Sequence, residues 1–566
     1  MLCLNIWIYN YILLWIMFYM YIRLTSSKKS KHPTLQIVAG IREGKKVKQK
    51  IIASLGVIKS QKDLIKLRKL ADHLIQKLEK EGLPPDDKIA VQDLIHQKTY
   101  YDGYGIVINE LMQLSGFSKV IHQAQGKNIF ALEEIVKLIL VQRFDCPSSK
   151  MRTYERQEEH GFQGIDLQHI YRTMDAMESL EADIQKEAFS TACKFSEKLV
   201  DCFFFDVTTL YFESVVQDEI KDFGFSKDQK YHMVQIVLAL VVDVHGLPIA
   251  YEVFKGNLAE TKTLIPVLEK LRNSFSIKNV TVVCDRGLAS RQNIEALQNA
   301  EFHFVIATKL KSMSKKLKIN DLSTYSPLSH QEAIVENEKV LFRTMEHPQY
   351  KDTLLIATYS PSRARKDKED RERVIEKLKK KLCNSSDETS IKKVISNGAY
   401  KKYTNIKKGS LLTIDEPAIA EDAKWDGFHG IAVSNSSQLG VREALARYKD
   451  LWQVEEAFRI AKCTLKTRPI FHWSPHRIKT HILLCFMNLF LERFLEMLLK
   501  RNGTPLTPDR INYALASVHT MHFEDRNSNK KNVIRSALSE DAICIFKTLG
   551  ISLDGLKSFQ TANCCV

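Results

Sequence analysis

Three carboxylates stand where their neighbours make a charge costly. Asp206 closes the apolar run CFFF and is followed by the β-formers VTTLYF; Asp285 closes VTVVC and leads into Arg286-Gly287. Both runs read as strands, with each aspartate at a C-terminal strand end, the edge at which open α/β sheets place their ligands. Glu455 is the third. On one helix, Tyr448, Leu451, Trp452, Glu455, Phe458 and Lys462 would share a broad face. A lone carboxylate in apolar surroundings is unstable as an anion unless a divalent cation or a basic side chain offsets it. For Glu455 alone, an i,i+4 ion pair with Arg459 is the simpler reading. Three such acids, each ending or lining a core element, point instead to a shared site that binds a hard metal ion through oxygen.

The elements that must position these acids follow a recognisable order. LVDCFFFDVTTLYFE, YHMVQIVLALVVDV and PIAYEVFKG read as strands, the last two joined in a hairpin at His245-Gly246. A helix (ETKTLIPVLEKLRNSF), a buried strand (NVTVVCDRG), a second helix (SRQNIEALQNA) and a fifth strand (FHFVIATK) come next. That is the order of a ribonuclease-H-like α/β fold, with parallel pairing in its second half. We assign residues 196–309 to the first part of this core. Residues 310–440 read as an inserted β-rich subdomain carrying the charged helix RARKDKEDRERVIEKLKKKL, and 441–500 as the core helices with Glu455. Residues 501–566 form a polar tail without a clear pattern.

Upstream, residues 23–85 read as a basic strand–helix module: two strands around a turn at Arg42–Lys46, then a helix capped by Ser60. Leu64, Leu67, Leu70, Leu74 and Leu78 line one face of that helix, Gly82 ends it, and Pro84-Pro85 mark a boundary. A DNA-contacting arm and a plain packing helix fit this module equally. Residues 86–195 read as a mostly helical, DNA-binding region, in which YGIVINELMQLSGFSKVIHQ and ALEEIVKLILVQRF suit either a helix-turn-helix or simple helical packing.

Composition narrows the partners. The 566 residues carry 83 Lys+Arg against 67 Asp+Glu, a net +16, which favours a polyanion such as nucleic acid or an anionic membrane surface. Eleven cysteines include no C-x-x-C pair, so neither a disulfide framework nor a zinc site is indicated and a reducing cytosol fits. His472 and His476 read as surface or phosphate contacts. Residues 1–22 are apolar and long enough to span a bilayer, but lack the leading charge and cleavage site of a signal peptide and contain Asn5 and Asn10. The expectation is that translation starts at Met20 or Met17 and that this stretch is no true anchor. THILLCFMNLFLERFLEMLL is interrupted by Glu492, Arg493 and Glu496 and reads as a buried helix.

Taken together, FFFDVTTLYFE, VVCDRG and YKDLWQVEEAFRIAK resemble the Asp-Asp-Glu (DDE) transposases of bacterial insertion sequences, and among them the insertion-sequence-four group with its Tyr-x2-Arg-x3-Glu-x6-Lys signature. Tyr448, Glu455 and Lys462 match that spacing; Leu451 stands at the Arg position, with Arg447 or Arg459 as candidate substitutes. The likeness covers about residues 200–500 and, more weakly, the N-terminal module. Asp206 and Asp285 are 79 positions apart (285 − 206), and Asp285 and Glu455 are 170 apart (455 − 285), room for the β-rich insertion such transposases carry. The resemblance implies that Asp206, Asp285 and Glu455 hold two divalent ions, Mg²⁺ or Mn²⁺. Water would cut one strand at the element's end, and the freed 3′-hydroxyl would attack in turn, exchanging phosphodiester bonds with no external energy source. It implies Tyr448 and Lys462 as contacts to terminal phosphates, with Arg459, Lys466 and Arg468 extending a basic surface and Asn257 and Arg286 as site neighbours. Trp452 reads as core packing, with stacking on an unpaired base as the alternative. The implied partners are double-stranded DNA (terminal inverted repeats and target) and a second copy of the chain in a synaptic complex, in the cytoplasm at the nucleoid. A ribonuclease-H-like nuclease without strand transfer, or a DNA-binding derivative that has lost catalysis, are the alternatives.

Overall fold

The computed structural model describes residues 18–26, 32–43, 46–81, 94–126, 130–195, 201–228, 230–275, 280–313, 317–328, 340–383, 398–407, 411–526, 531–553 and 560–561. They fall into two units: residues 1–107, 155–164 and 499–566, and residues 108–154 and 165–498. In the first unit, β1 (Phe18–Thr25), β2 (Thr34–Glu43) and β3 (Lys46–Val57) form an antiparallel sheet. The helix Gln61–Glu81 covers it, setting Leu64, Leu67, Ala71 and Leu74 against Leu35, Ile37 and Ala53. Ser60 Oγ accepts from the Asp63 amide at 3.2 Å, the N-cap expected from the sequence. From Phe18 the apolar opening is strand β1; residues 1–17, like Gly82 and Pro84-Pro85, lie outside the described residues.

Where the sequence predicts a helical region from 86 and a patternless tail, this unit instead holds a second sheet. β4 (Leu94–Tyr100) pairs antiparallel with Thr520–Asp525, which pairs with Lys531–Arg535. Elsewhere the helices expected between 86 and 195 are present, at Asp102–Leu114, Phe117–Gln123, Leu132–Asp145, Lys150–Glu155, Leu167–Met177 and Glu181–Phe195. Among the described residues no helix is long and apolar enough to cross a membrane.

The second unit is built on one mixed sheet. Its strands are β5 (Cys202–Tyr211), β6 (Gln235–Asp243), β7 (Pro248–Lys255), β8 (Thr281–Cys284), β9 (His303–Thr308), β10 (Ser326–Pro327), β11 (Leu341–Glu346) and β12 (Thr353–Tyr359). A small separate hairpin, β13 (Thr404–Lys407) with β14 (Leu411–Ile414), precedes the last sheet strand, β15 (Phe428–Ser434). The sheet order is β10-β11-β12-β15-β9-β8-β5-β6-β7. β5, β6 and β7 pair antiparallel, while β8 and β9 run parallel to β5. This is the ribonuclease-H-like arrangement the strand order calls for. The insertion is β-rich and carries the helix Pro361–Cys383, but it is not a sheet apart: β10, β11, β12 and β15 continue the core sheet beyond β9.

The core strands are apolar on both faces because both faces are covered. Every residue of β6 is buried, and in β5 the run is broken only at Asp206 and at the terminal Tyr211. The helix Pro475–Arg501 is likewise buried on nearly all sides, as its apolar run suggests. It packs Phe490 on Phe117 (ring centroids 5.2 Å apart) and Phe494 on Phe195 (5.0 Å).

At the end of β7 the backbone leaves no room for a side chain. A Cβ on Gly256 would lie 2.0 Å from the Gln235 carbonyl oxygen and 2.6 Å from that of Asp222. Those two residues exchange backbone hydrogen bonds of 2.9 and 3.1 Å, so neither carbonyl can retreat alone. Gly256→Ala is therefore expected to destabilise this unit by ~3 kcal/mol, seen as a lower urea midpoint at unchanged slope.

Candidate active site

Strand register brings the two aspartates side by side. Phe205 of β5 is level with Cys284 of β8, so Asp206 and Asp285 are the next pair along two parallel neighbours. Adjacent strands lie about 4.8 Å apart and in-register residues project to one face. β8 ends at Cys284 and Asp285 opens the turn Arg286–Leu288, as expected. Asp206 does not end its strand: β5 runs on to Tyr211, because Val207–Leu210 are themselves buried β-formers.

Only one of the three acids is in the costly surroundings expected. The Asp206 side chain is 24% exposed, whereas Asp285 and Glu455 are exposed. Burial pushes the Asp206 carboxyl up to about 6, with Glu260 and Asp285 adding to the rise and Lys227 opposing it. The same burial and the same two aspartates push the Cys284 thiol far up, so it stays protonated.

Two residues at this site are absent from the sequence reading. Lys227, in the loop between β5 and β6, places Nζ 4.0 Å from Asp206 Oδ1 and 3.0 Å from Glu260 Oε1, and donates to the Val207 carbonyl. Glu260 opens the turn Glu260–Lys262 after β7. A Cβ on Gly287 would meet Glu260 Oε2 at 3.3 Å, so the bare glycine lets the Asp285 turn close on Glu260. The signals were only GFSKDQK and GNLAETK, polar loop segments with no periodicity to mark them. Of the neighbours named from sequence, Asn257 donates instead to Asp222 at 2.8 Å, while Arg286 acts electrostatically on Tyr448 and His429.

The helix expected to run unbroken from Tyr448 to Lys462 is interrupted. Val441–Lys449 ends before Asp450; a new helix runs Trp452–Arg459 and passes into a π-turn at Ile460–Thr464. Val454, Ala457 and Phe458 are buried and the helix packs on β5 and β6, which leaves Glu455 on its solvent side. Trp452 is 49% exposed, not core packing: the break turns it outward. Arg459 pairs with Glu456, not with Glu455. Leu451, at the signature Arg position, is buried, and Arg447 is held by Asp201 (2.9 Å) and Glu443 (3.0 Å). Among the described residues, no three His, Cys, Asp or Glu side chains stand close enough to surround a metal ion. The structure thus joins Asp206 to Asp285 and does not gather Glu455 with them.

Tyr448 and Lys462 lie at the edge of this group. Burial, with Asp285 adding, raises the Tyr448 phenol to about 12, and its ring sits 5.0 Å from that of His429. Lys462 is held below the usual lysine value by burial, Asp228 opposing; Arg468 and Lys227 also lower it, and Asp206 raises it. Asp228 pairs with Arg468, whose guanidinium lies 5.6 Å from the centre of the Tyr211 ring, and Lys466 is exposed.

Two family models match the chain: the transposase DDE domain over residues 200–491, and the N-terminal domain of IS1634 family transposases over residues 22–87. No curated protein matches it. Among solved structures, a piggyBac transposase synaptic complex with hairpin DNA is similar at 9% identity and TM-score 0.33, covering 74% of this chain and 80% of that one. A Mos1 transposase paired-end complex with the left transposon end is similar at 13% identity and TM-score 0.15, covering 42% of this chain and 66% of that one. At such TM-scores neither likeness bears on the chemistry.

Proposed function

This chain belongs to the DDE transposase family, and on that premise we propose that Asp206, Asp285 and Glu455 hold its divalent ions, two of them, Mg²⁺ or Mn²⁺. The protein is an insertion-sequence transposase, an enzyme of DNA strand cleavage and strand transfer, and its family uses divalent metal ions. Asp206 and Asp285 fit that need as they stand, and Glu455, on the solvent side of its helix, would complete the set by moving to them. Asp206 and Asp285 offer only oxygen, stand in register, and leave Asp206 with negative charge that Lys227 offsets only in part. Bound there, divalent ions supply the positive charge that activates an attacking oxygen and stabilises a leaving one.

The chain's own groups then orient the DNA. The Tyr448 phenol, protonated at any physiological pH, can donate a hydrogen bond to a phosphate oxygen. Lys462, Lys466 and Arg468, with Arg459 on the preceding helix, present positive charge to the backbone, contacts that fix position without reading sequence. Two element ends must be cut together, so a second copy of the chain is the expected protein partner, at the nucleoid in the cytoplasm. The observation that carries this reading is that Asp206 and Asp285 directly follow the last in-register pair of β5 and β8, Phe205 with Cys284, and that Asp206 is held near 6 by burial and by its acidic neighbours. Neither a nuclease without strand transfer nor an inactive derivative is favoured.

The test supplies the protein and Mn²⁺ or Mg²⁺ with a pre-cut duplex bearing an element terminus and a free 3′-hydroxyl, plus a plasmid target. Joined product is expected. Cutting of an uncleaved terminus with no joining of the pre-cut one would mark a nuclease instead.

A further inference from the structure

Lys227 occupies the place where a cation is wanted. Its ammonium donates to the Val207 carbonyl, pairs with Glu260 Oε1 at 3.0 Å, and stands 4.0 Å from Asp206 Oδ1, an ion-pair distance too long for a hydrogen bond. Its own amide donates to Thr209 Oγ1 at 3.1 Å, which ties the loop to β5 just past Asp206. The side chains of Lys227 and Glu260 are 33% and 37% exposed, so the ammonium can move without opening the core. The charges near Asp206 are three acids (Asp206, Asp285, Glu260) against Lys227 in contact and Lys462 further off.

We propose that Lys227 is the resident counter-cation of Asp206 in the metal-free enzyme, and that Glu260 is a positioning residue that receives the Lys227 ammonium when a divalent ion takes Asp206. This rests on the assignment of Asp206 as a metal-holding residue. A divalent ion held by Asp206 would share that carboxylate with an ammonium 4.0 Å from its Oδ1, a repulsion relieved by moving the lysine. Glu260 is already its nearer anion, so the shift is short. The salt-bridge pair thereby guards an otherwise unpaired carboxylate between reactions, and the ion must compete for it.

The experiment is Mn²⁺ binding to the full-length protein without DNA, followed calorimetrically, for wild type, Lys227→Met, Glu260→Gln, the double variant and Asp206→Asn. Lys227→Met removes the competitor and is expected to tighten Mn²⁺ on the order of tenfold, the scale of one partly screened charge at this distance. Glu260→Gln is expected to weaken binding by a similar factor, and that loss should largely disappear in the Lys227→Met background. Unchanged or weaker binding by Lys227→Met would overturn the proposal. So would a Glu260→Gln loss of equal size in both backgrounds, which would make Glu260 itself a ligand. Mn²⁺ binding unaffected by Asp206→Asn would overturn the underlying site assignment instead, so the two failures are distinguishable.

Discussion

Asp206→Asn is expected to lower metal-dependent strand cleavage on the order of 10³-fold or more while leaving the protein at least as stable at pH 7. The substitution keeps the shape of the side chain in β5 and the register that sets it beside Asp285, but removes the anion that would hold a divalent ion. The stability half has a definite sign. Burial raises the Asp206 carboxyl from 3.8 to about 6, so the folded state keeps a proton there that the unfolded chain has already released. Stability from this group is therefore full below about pH 4 and falls as pH climbs through about 6. Asparagine cannot ionise and escapes that fall. Cleavage measured on a labelled element terminus, beside thermal melts of both proteins at pH 4.5 and 7, separates lost chemistry from lost structure. An Asp206→Asn protein that cuts at the wild-type rate would sink the site assignment; one that cuts slowly because it melts early would contradict the burial argument.

What the sequence made visible here follows from how buried sheets are built. CFFFD and VTVVCD are conspicuous because strands covered on both faces read as continuous apolar runs, and an acid that interrupts or ends such a run breaks the pattern. The five strands and two helices of the core appear in the expected order for the same reason. Lys227 and Glu260 sit in short polar loops, and their meeting with Asp206 is a product of tertiary closure that no local pattern records. The break at Asp450–Leu451 was hidden because the residues on either side keep helical spacing, so periodicity ran straight across it and placed Trp452 inward. β4 was missed because its central residues are exposed and polar, and its partner Thr520–Asp525 lies more than four hundred positions away (520 − 100). The union of β12 and β15 with β9 is equally non-local: from the sequence, strands after a long insertion could as well form a sheet of their own.

Glu492→Met is expected to stabilise the protein, and to do so more at pH 8 than at pH 5. Glu492 lies in the long helix Pro475–Arg501, is 2% exposed, and among the described residues neither of its carboxyl oxygens has a hydrogen-bond partner. Burial raises its carboxyl to about 8, with Glu496 and Glu456 adding and Arg493 and Arg459 opposing. The nearest guanidinium cannot relieve it, because Arg493 is committed to Glu496, to Gln453 Oε1 at 3.4 Å and to the Gly246 carbonyl at 3.4 Å. Those contacts tie the long helix to the helix that carries Glu455, so an ionised Glu492 would sit under that helix with no hydrogen bond to the guanidinium beside it. The unfolded chain releases this proton near pH 4.5 and the folded one holds it to about 8, so between those values the folded state binds more protons and loses stability as pH rises. Methionine has similar volume, favours helix and buries no polar atom. Its advantage over wild type should grow across that window by an amount on the order of 4 kcal/mol. Urea unfolding of both proteins at pH 5, 6.5 and 8 reads this as a widening gap in midpoint, and taking the difference between the two cancels the titrating groups that do not interact with Glu492. A gap that stays constant with pH would mean that Glu492 is not protonated in the folded state. A wild type that gains stability on the methionine variant as pH rises would mean that its charge has found a partner.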